Sequence, residues 1–394
     1  MKILKLFRYI ILRELDFLIH IRKKLLLFSL FFPIFSFILL YSIFYKPVIR
    51  DIPIAIIDND KSILSQELIS NLDANQDLKV AYKISNYNEA LSLVSNLSIY
   101  AFVIIPDGFA KKVLSSTGAT IPYYYNAQLV LVGNLANKGI ITTIQGFSSK
   151  YNKVYEEHHG VPYYASRART EPIIFNHQVL FNPTLSYQFI MLLGLFPAML
   201  QLFITGTFLY SYGFELISSR AKNLLNYVKS SPFTVVIGKG FPYFIIYSFN
   251  SLLMLYFLFF YIGINIEGSR FVILFATFLY LLASSSVSLI LISFGFGSLR
   301  MALSIMAVYA APAFAYAGVT YPSLGLPKLA RLWSEFLPIT HYHRVLINES
   351  IRGANYNYSV NDLLYLLIFF LVTFFIGTLS YRFFATNEKF WGKL

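Results

Sequence analysis

Six long apolar stretches, at 25–45, 186–212, 235–262, 271–294, 301–318 and 363–381, govern what this chain of 394 residues can fold into. An α-helix rises 1.5 Å per residue, so about 20 apolar residues cross the hydrocarbon core of a bilayer. Each stretch therefore reads as one membrane-spanning helix. The composition agrees, with 57% hydrophobic and only 13% charged residues. These values exclude a disordered chain, a fibrous chain and an ordinary soluble enzyme. The fold class expected is an α-helical membrane protein with six transmembrane helices and an α/β exterior domain inserted between the first and second.

The formal net charge of +13 is unevenly placed. Between residues 47 and 180 there are 11 basic and 11 acidic residues, so the whole excess belongs to the membrane-associated remainder. Positive charge there is what membrane topology demands of loops facing the cytoplasm, and nucleic acid is a poor partner. With an even number of spans both termini lie on one side. Fifteen basic residues fall on that side: seven before the first span, then Arg220, Lys222, Lys229, Lys239, Arg300, Arg382, Lys389 and Lys393. The short opposite loops hold five, Arg270, Lys328, Arg331, Arg344 and Arg352. Both termini are expected in the cytoplasm. Lys239 counts here as a boundary residue, and the span interiors read as uncharged.

The first span is too long and too far from the start for a cleaved signal peptide, so it reads as an anchor. Before it, Ile3, Leu6, Phe7, Ile10, Ile11, Phe17, Leu18 and Ile21 recur near helical spacing among Lys5, Arg8 and Arg13. That predicts an amphipathic helix on the membrane surface over 1–24. Segment 46–185 has the pattern of a folded domain. Short apolar runs at 52–57, 78–84 and 100–105 alternate with helical segments at 62–72 and 87–97, which implies a small, mostly parallel sheet. A further strand is expected at 121–125, a long helix from Val130 to about Glu157, and an extended return at 172–181. Helices 2 to 6 occupy 186–383, with a proline-rich re-entrant segment of short helices at 319–360, and 384–394 forms a cytoplasmic tail.

The chemistry is notable for what it lacks. There is no cysteine and no G-x-x-x-x-G-K-[ST] phosphate loop, so ATP hydrolysis by that route must come from another subunit. Uncharged span interiors argue against a proton or sodium relay. Asp58 and Asp60 read as turn and helix-capping oxygens rather than a metal pair. The run from Glu156 to His159 reads as a solvated helix end, and His341 and His343 as a membrane-interface pair rather than metal ligands. Ser284, Ser285, Ser286 and Ser288 read as small residues for close helix packing. No catalytic or metal-binding residue is expected, and the sequence does not identify a substrate path.

Ile52-Pro53-Ile54-Ala55-Ile56-Ile57-Asp58-Asn59-Asp60-Lys61-Ser62 and Tyr100-Ala101-Phe102-Val103-Ile104-Ile105-Pro106-Asp107-Gly108-Phe109 follow the basic start and first span. Ser231-Pro232, Gly238-Lys239, Pro242, Leu337-Pro338-Ile339-Thr340 and Arg352-Gly353 come later in the same order. Together they resemble the permease subunits of type-2 ABC exporters with a large exterior domain. The resemblance implies a transport subunit of the bacterial inner membrane that moves a drug or lipid. Its cytoplasmic ATPase partner would hold the ATP and Mg, with no cofactor in this chain. It also implies pairing with a second copy or a paralogous permease, with a periplasmic adaptor as a further candidate partner. The family's acidic and basic cluster with Gly-Thr after the second span is here 215–225, ELISSRAKNLL, with Glu215 as its sole acid. On this basis the ATPase-docking surface is placed at Glu215, Arg220, Lys222, Asn226, Lys229 and Pro232, with a short helix over 221–228. Two alternatives are a polysaccharide or glycolipid export permease, and a membrane-anchored receptor or scaffold. Four further spans after the exterior domain speak against the scaffold, which one anchor would serve.

Overall fold

A computed structural model of the chain describes residues 2–46, 48–115, 117–160, 180–182, 186–227, 231–319 and 321–392. It divides into two compact units, one of residues 1–47 and 180–394 and the other of 48–179. The first unit opens with α1 (Lys2–Asp16), which leads through a π-turn (Phe17–Ile21) into α2 (Lys23–Ile43). Ile10 and, in the following turn, Leu18 are buried, whereas Leu4, Leu12 and Ile21 are exposed. α2 is long and apolar enough to cross a membrane and is mostly exposed within the chain, as a lipid-facing helix must be.

The inserted unit runs β1 (Ile52–Asp58), α3 (Ile63–Asp73), β2 (Leu78–Ile84), α4 (Tyr87–Ser95), β3 (Ala101–Ile105), α5 (Phe109–Leu114), β4 (Tyr123–Tyr125) and α6 (Val130–His158). The sheet order is β2-β1-β3-β4. β1 is parallel to β2 and β3, and β4 is antiparallel to β3. The central strands are apolar on both faces because helices cover both. Ile54, Ile56, Val103 and Ile105 enter one core with Leu68 and Ile140, and Ala55, Ile57 and Phe102 enter another with Ala90. The helix starts read from the sequence are real. Ser62 Oγ accepts from Ser65 N at 3.1 Å, and Asn86 caps α4 by accepting from Asn88 N. Asp58 behaves as a turn residue: Oδ1 accepts from the Lys61 amide and Oδ2 from Ser65 Oγ at 2.8 Å. Asp60 Oδ2 accepts from the Ala110 amide. The expected extended segment at 172–181 falls largely outside the described residues.

The remaining helices are α7 (Tyr187–Ile217), α8 (Ala221–Tyr227), α9 (Pro232–Tyr256), α10 (Arg270–Phe294), α11 (Leu299–Ala310), α12 (Ala313–Tyr316), α13 (Lys328–Glu335), α14 (Pro338–Ile347) and α15 (Asn357–Thr386). Among the described residues six helical segments are long and apolar enough to span a membrane, and those formed by α7 and α10 are the most buried. Several expected boundaries shift: the second span runs on as far as Ile217 and the sixth covers Asn357–Thr386. The fifth stretch is two helices, because Pro312 has no N–H to carry the helix past Ala310. The third begins at Pro232 instead of 235, since proline suits a first helical position, and this puts Lys239 two turns inside α9. The serine cluster does pack. Ser286 Oγ meets Thr373 Oγ1 at 2.6 Å across α10 and α15, and a Cβ on Gly377 would stand 2.6 Å from Leu289 Cβ. The segment after α12 consists of short helices, as its prolines suggest.

Candidate functional site

The sequence Gly238-Lys239-Gly240 sits in α9 with a glycine on each side of its only charge. A Cβ on Gly238 would lie 3.1 Å from Ile10 of α1, and one on Gly240 would lie 2.7 Å from the Tyr212 hydroxyl of α7. The two missing side chains let α1 and α7 close around the lysine, which is fully buried. Lys239 Nζ donates to Glu14 Oε2 at 2.7 Å and to Glu215 Oε1 at 2.9 Å. Glu14 Oε1 also accepts from Tyr243 Oη at 2.8 Å and Ser211 Oγ at 3.2 Å. Glu215 is shared with Arg13, whose Nη1 lies 3.2 Å from Oε1.

Two carboxylates, one ammonium and one guanidinium thus balance, and every carboxylate oxygen has a donor. Such satisfaction is what makes buried charge tolerable. The cluster ties the surface helix α1 to α7 and α9, the helices on either side of α8. Beside it Arg22 is boxed by rings, its guanidinium carbon 3.6 Å from the centre of Phe214 and 4.4 Å from that of Phe17, a cation–π arrangement.

This arrangement corrects the sequence reading at several points. Lys239 belongs to the helical interior, so the third span is not uncharged. Glu215 is 1% exposed and is spent on Lys239 and Arg13, so its carboxylate is not offered to a docking partner. Pro232 is buried as the first residue of α9. Arg220 and Asn226 are exposed, while Lys222 pairs with Glu388 at 2.8 Å. Lys229 lies outside the described residues. Sequence reasoning missed Glu14, although a signal existed: it stands four residues after Ile10 and four before Leu18, an acid on the apolar face of the helix.

A second polar group gathers around α14. His341 Nδ1 is 2.6 Å from Asp362 Oδ1 and Nε2 is 3.1 Å from the Glu335 carbonyl oxygen, while its ring stacks on Tyr365. Arg344 pairs with Glu335, and that pairing holds the Glu335 carboxyl below the usual carboxylate range. The two histidines sit on a helix, not a strand, so they point to different neighbours. Among the described residues no group of three or more His, Cys, Asp or Glu could hold a metal ion.

A family model described as "ABC-2 family transporter protein" matches residues 23–379. A search among curated proteins gives no match. The match runs from the start of α2 nearly to the end of α15 and so takes in all six candidate spans and the inserted unit. This chain therefore belongs to the ABC-2 transporter family, as a multi-pass membrane permease component.

Proposed function

We propose that the chain is the permease subunit of an ATP-driven exporter that moves an amphipathic or hydrophobic substrate, a drug or lipid, across the inner membrane. A separate cytoplasmic ATPase supplies the work. A second permease, identical or paralogous, completes the path. The observation that carries this reading is the buried tie from α1 to α7 and α9, because it joins a basic surface helix to the helices flanking the exposed Arg220 and Asn226. Work done on that surface by a partner would reach two spans without a nucleotide site in this chain. Polysaccharide or glycolipid export is the second reading, favoured by nothing specific in the geometry.

Both termini are assigned to the cytoplasm and residues 47–180 to the exterior, supported by the distribution of basic residues. A single cysteine placed at the exposed Lys79 in this cysteine-free chain should react with a membrane-impermeant reagent in intact spheroplasts. Reaction only after lysis would reverse the assignment.

Docking is tested by Arg220→Glu combined with Lys222→Glu. Lys222 gives up an exposed pair with Glu388, a loss of about 0–1 kcal/mol, so the fold should survive. Co-purification of the ATPase should weaken and become more sensitive to salt, and export should stop. Normal co-purification and export in a correctly inserted variant would remove the surface from this segment.

A further inference from the structure

A cavity of about 300 Å³ lies among α7, α9, α10 and α15. Its floor is made by Tyr212, Val236 and Leu289, all buried, and its rim by Ile237 and Phe241 of α9 and Phe278 of α10, all exposed. The cavity therefore opens sideways, between two spanning helices. Phe370 and Phe374, which form part of its wall, stand near the middle of α15, so the opening faces the hydrocarbon and not water.

The chemistry of the walls restricts what can enter. Only three lining side chains carry a polar atom, Tyr212, Ser285 and Ser286, and each is already satisfied. Tyr212 Oη donates to the Val236 carbonyl at 3.1 Å. Ser285 Oγ donates to the Leu282 carbonyl at 2.8 Å, and Ser286 Oγ lies 2.8 Å from the Ala283 carbonyl and 2.6 Å from Thr373 Oγ1. Nothing in the lining asks for a polar ligand atom. Water gains too little there, since a buried water needs two to four polar partners. The other walls are aliphatic or aromatic, among them Phe208 and Phe244, and walls that face empty space forfeit their dispersion contacts.

We infer that this cavity holds one acyl chain of a membrane lipid, inserted sideways between α9 and α10 with its headgroup left outside. The volume is about twice the 150 Å³ that admits the six carbons of benzene, which gives room for about a dozen carbons. Lipid is also the apolar molecule present in excess at the opening, so mass action favours it over any dissolved solute. Lipid tails are as apolar as leucine, so the gain is packing and not escape from water. Recognition should accordingly follow the shape of the chain and be indifferent to the headgroup. The inference does not rest on the export reading, since the cavity lies within this chain and needs neither ATPase nor transport.

The test uses the full chain, stripped of lipid in detergent and given phosphatidylcholine that carries a diazirine midway along one acyl chain. Native mass spectrometry counts the retained lipid, and peptide mapping after irradiation locates the adduct. One lipid should persist through delipidation, with adducts on the cavity segments 236–244, 278–289 and 370–374. Ser285→Phe fills the cavity from a position whose hydroxyl serves only its own helix, and Ser285→Met does so with a more flexible side chain should the phenylalanine fail to fold. Whichever variant keeps the parent thermal midpoint should lower retention about tenfold, while Leu364→Phe, on an exposed face of α15 outside the cavity, should leave it unchanged. Phosphatidylethanolamine and phosphatidylglycerol with the same chains should compete equally. No retained lipid, adducts spread evenly over the exposed helix faces, retention indifferent to the cavity variants, or selection by headgroup would overturn the inference. So would retention of pyrene in place of the lipid, which would make the cavity a site for planar aromatic molecules.

Discussion

Replacing Lys239 by Met is expected to destabilise the chain by about 3–5 kcal/mol, the range for removing one partner from a buried ion pair. The substitution is close in volume, so little of the loss is packing. Glu14 and Glu215 would be left facing the same point with one cation, Arg13, bound to only one of them. Two carboxylates in that position disfavour each other's charge. Adding Glu14→Gln to Lys239→Met should recover part of the loss, because it removes one unpaired acid and leaves Tyr243 and Ser211 with an oxygen to donate to. The thermal midpoint in one detergent, measured for the single and double variants, gives the coupling. A loss under about 1 kcal/mol for Lys239→Met, on the scale of an ordinary exposed pair, would contradict the buried tie. The export assay separates the cluster's role further, since a folded variant with α1 detached should still bind the ATPase but turn over without transport.

The second large effect is expected in the inserted unit. Ile56 is 1% exposed in β1, the strand that pairs with both β2 and β3. Ile56→Ala deletes buried methyl groups between Leu68, Val103 and Ile140 of the same core, and such deletions cost about 2–5 kcal/mol. The same substitution at the exposed Lys79 in edge strand β2 should change stability by no more than about 0.5 kcal/mol. Urea unfolding of the excised 48–179 segment measures both. Equal effects at the two positions would mean that the sheet core is not where the stability of this unit lies.

How much of this was legible beforehand follows from the range of the forces involved. The spans could be read because hydrocarbon accepts only long apolar helices, which leaves an unmistakable run of residues. The strands and helices at 52–57, 62–72 and 100–105 were legible for a similar reason: Ser62 caps, Pro106 stops and the apolar runs alternate locally. The break at Pro312 was also local, but the apolar run across it concealed the interruption. The charge cluster was legible only in fragments. Glu14 could be noticed on an apolar face and Lys239 between glycines, yet nothing in either neighbourhood names the other.

By itself the sequence determined the number of candidate spans, the insertion of an α/β unit between the first two, and the positions of most helix starts, because hydropathy and capping act within a few residues. Tertiary structure alone decided that Glu14, Glu215 and Lys239 form one buried group rather than parts of a surface. The same holds for Phe244 of α9 and Phe374 of α15, which line one cavity. Glu14 and Lys239 are 225 residues apart, and whether a charge faces water or a counter-charge depends on which helices pack against it. That is settled by close approach at Gly238 and Gly240, a matter of shape between helices that no single segment encodes.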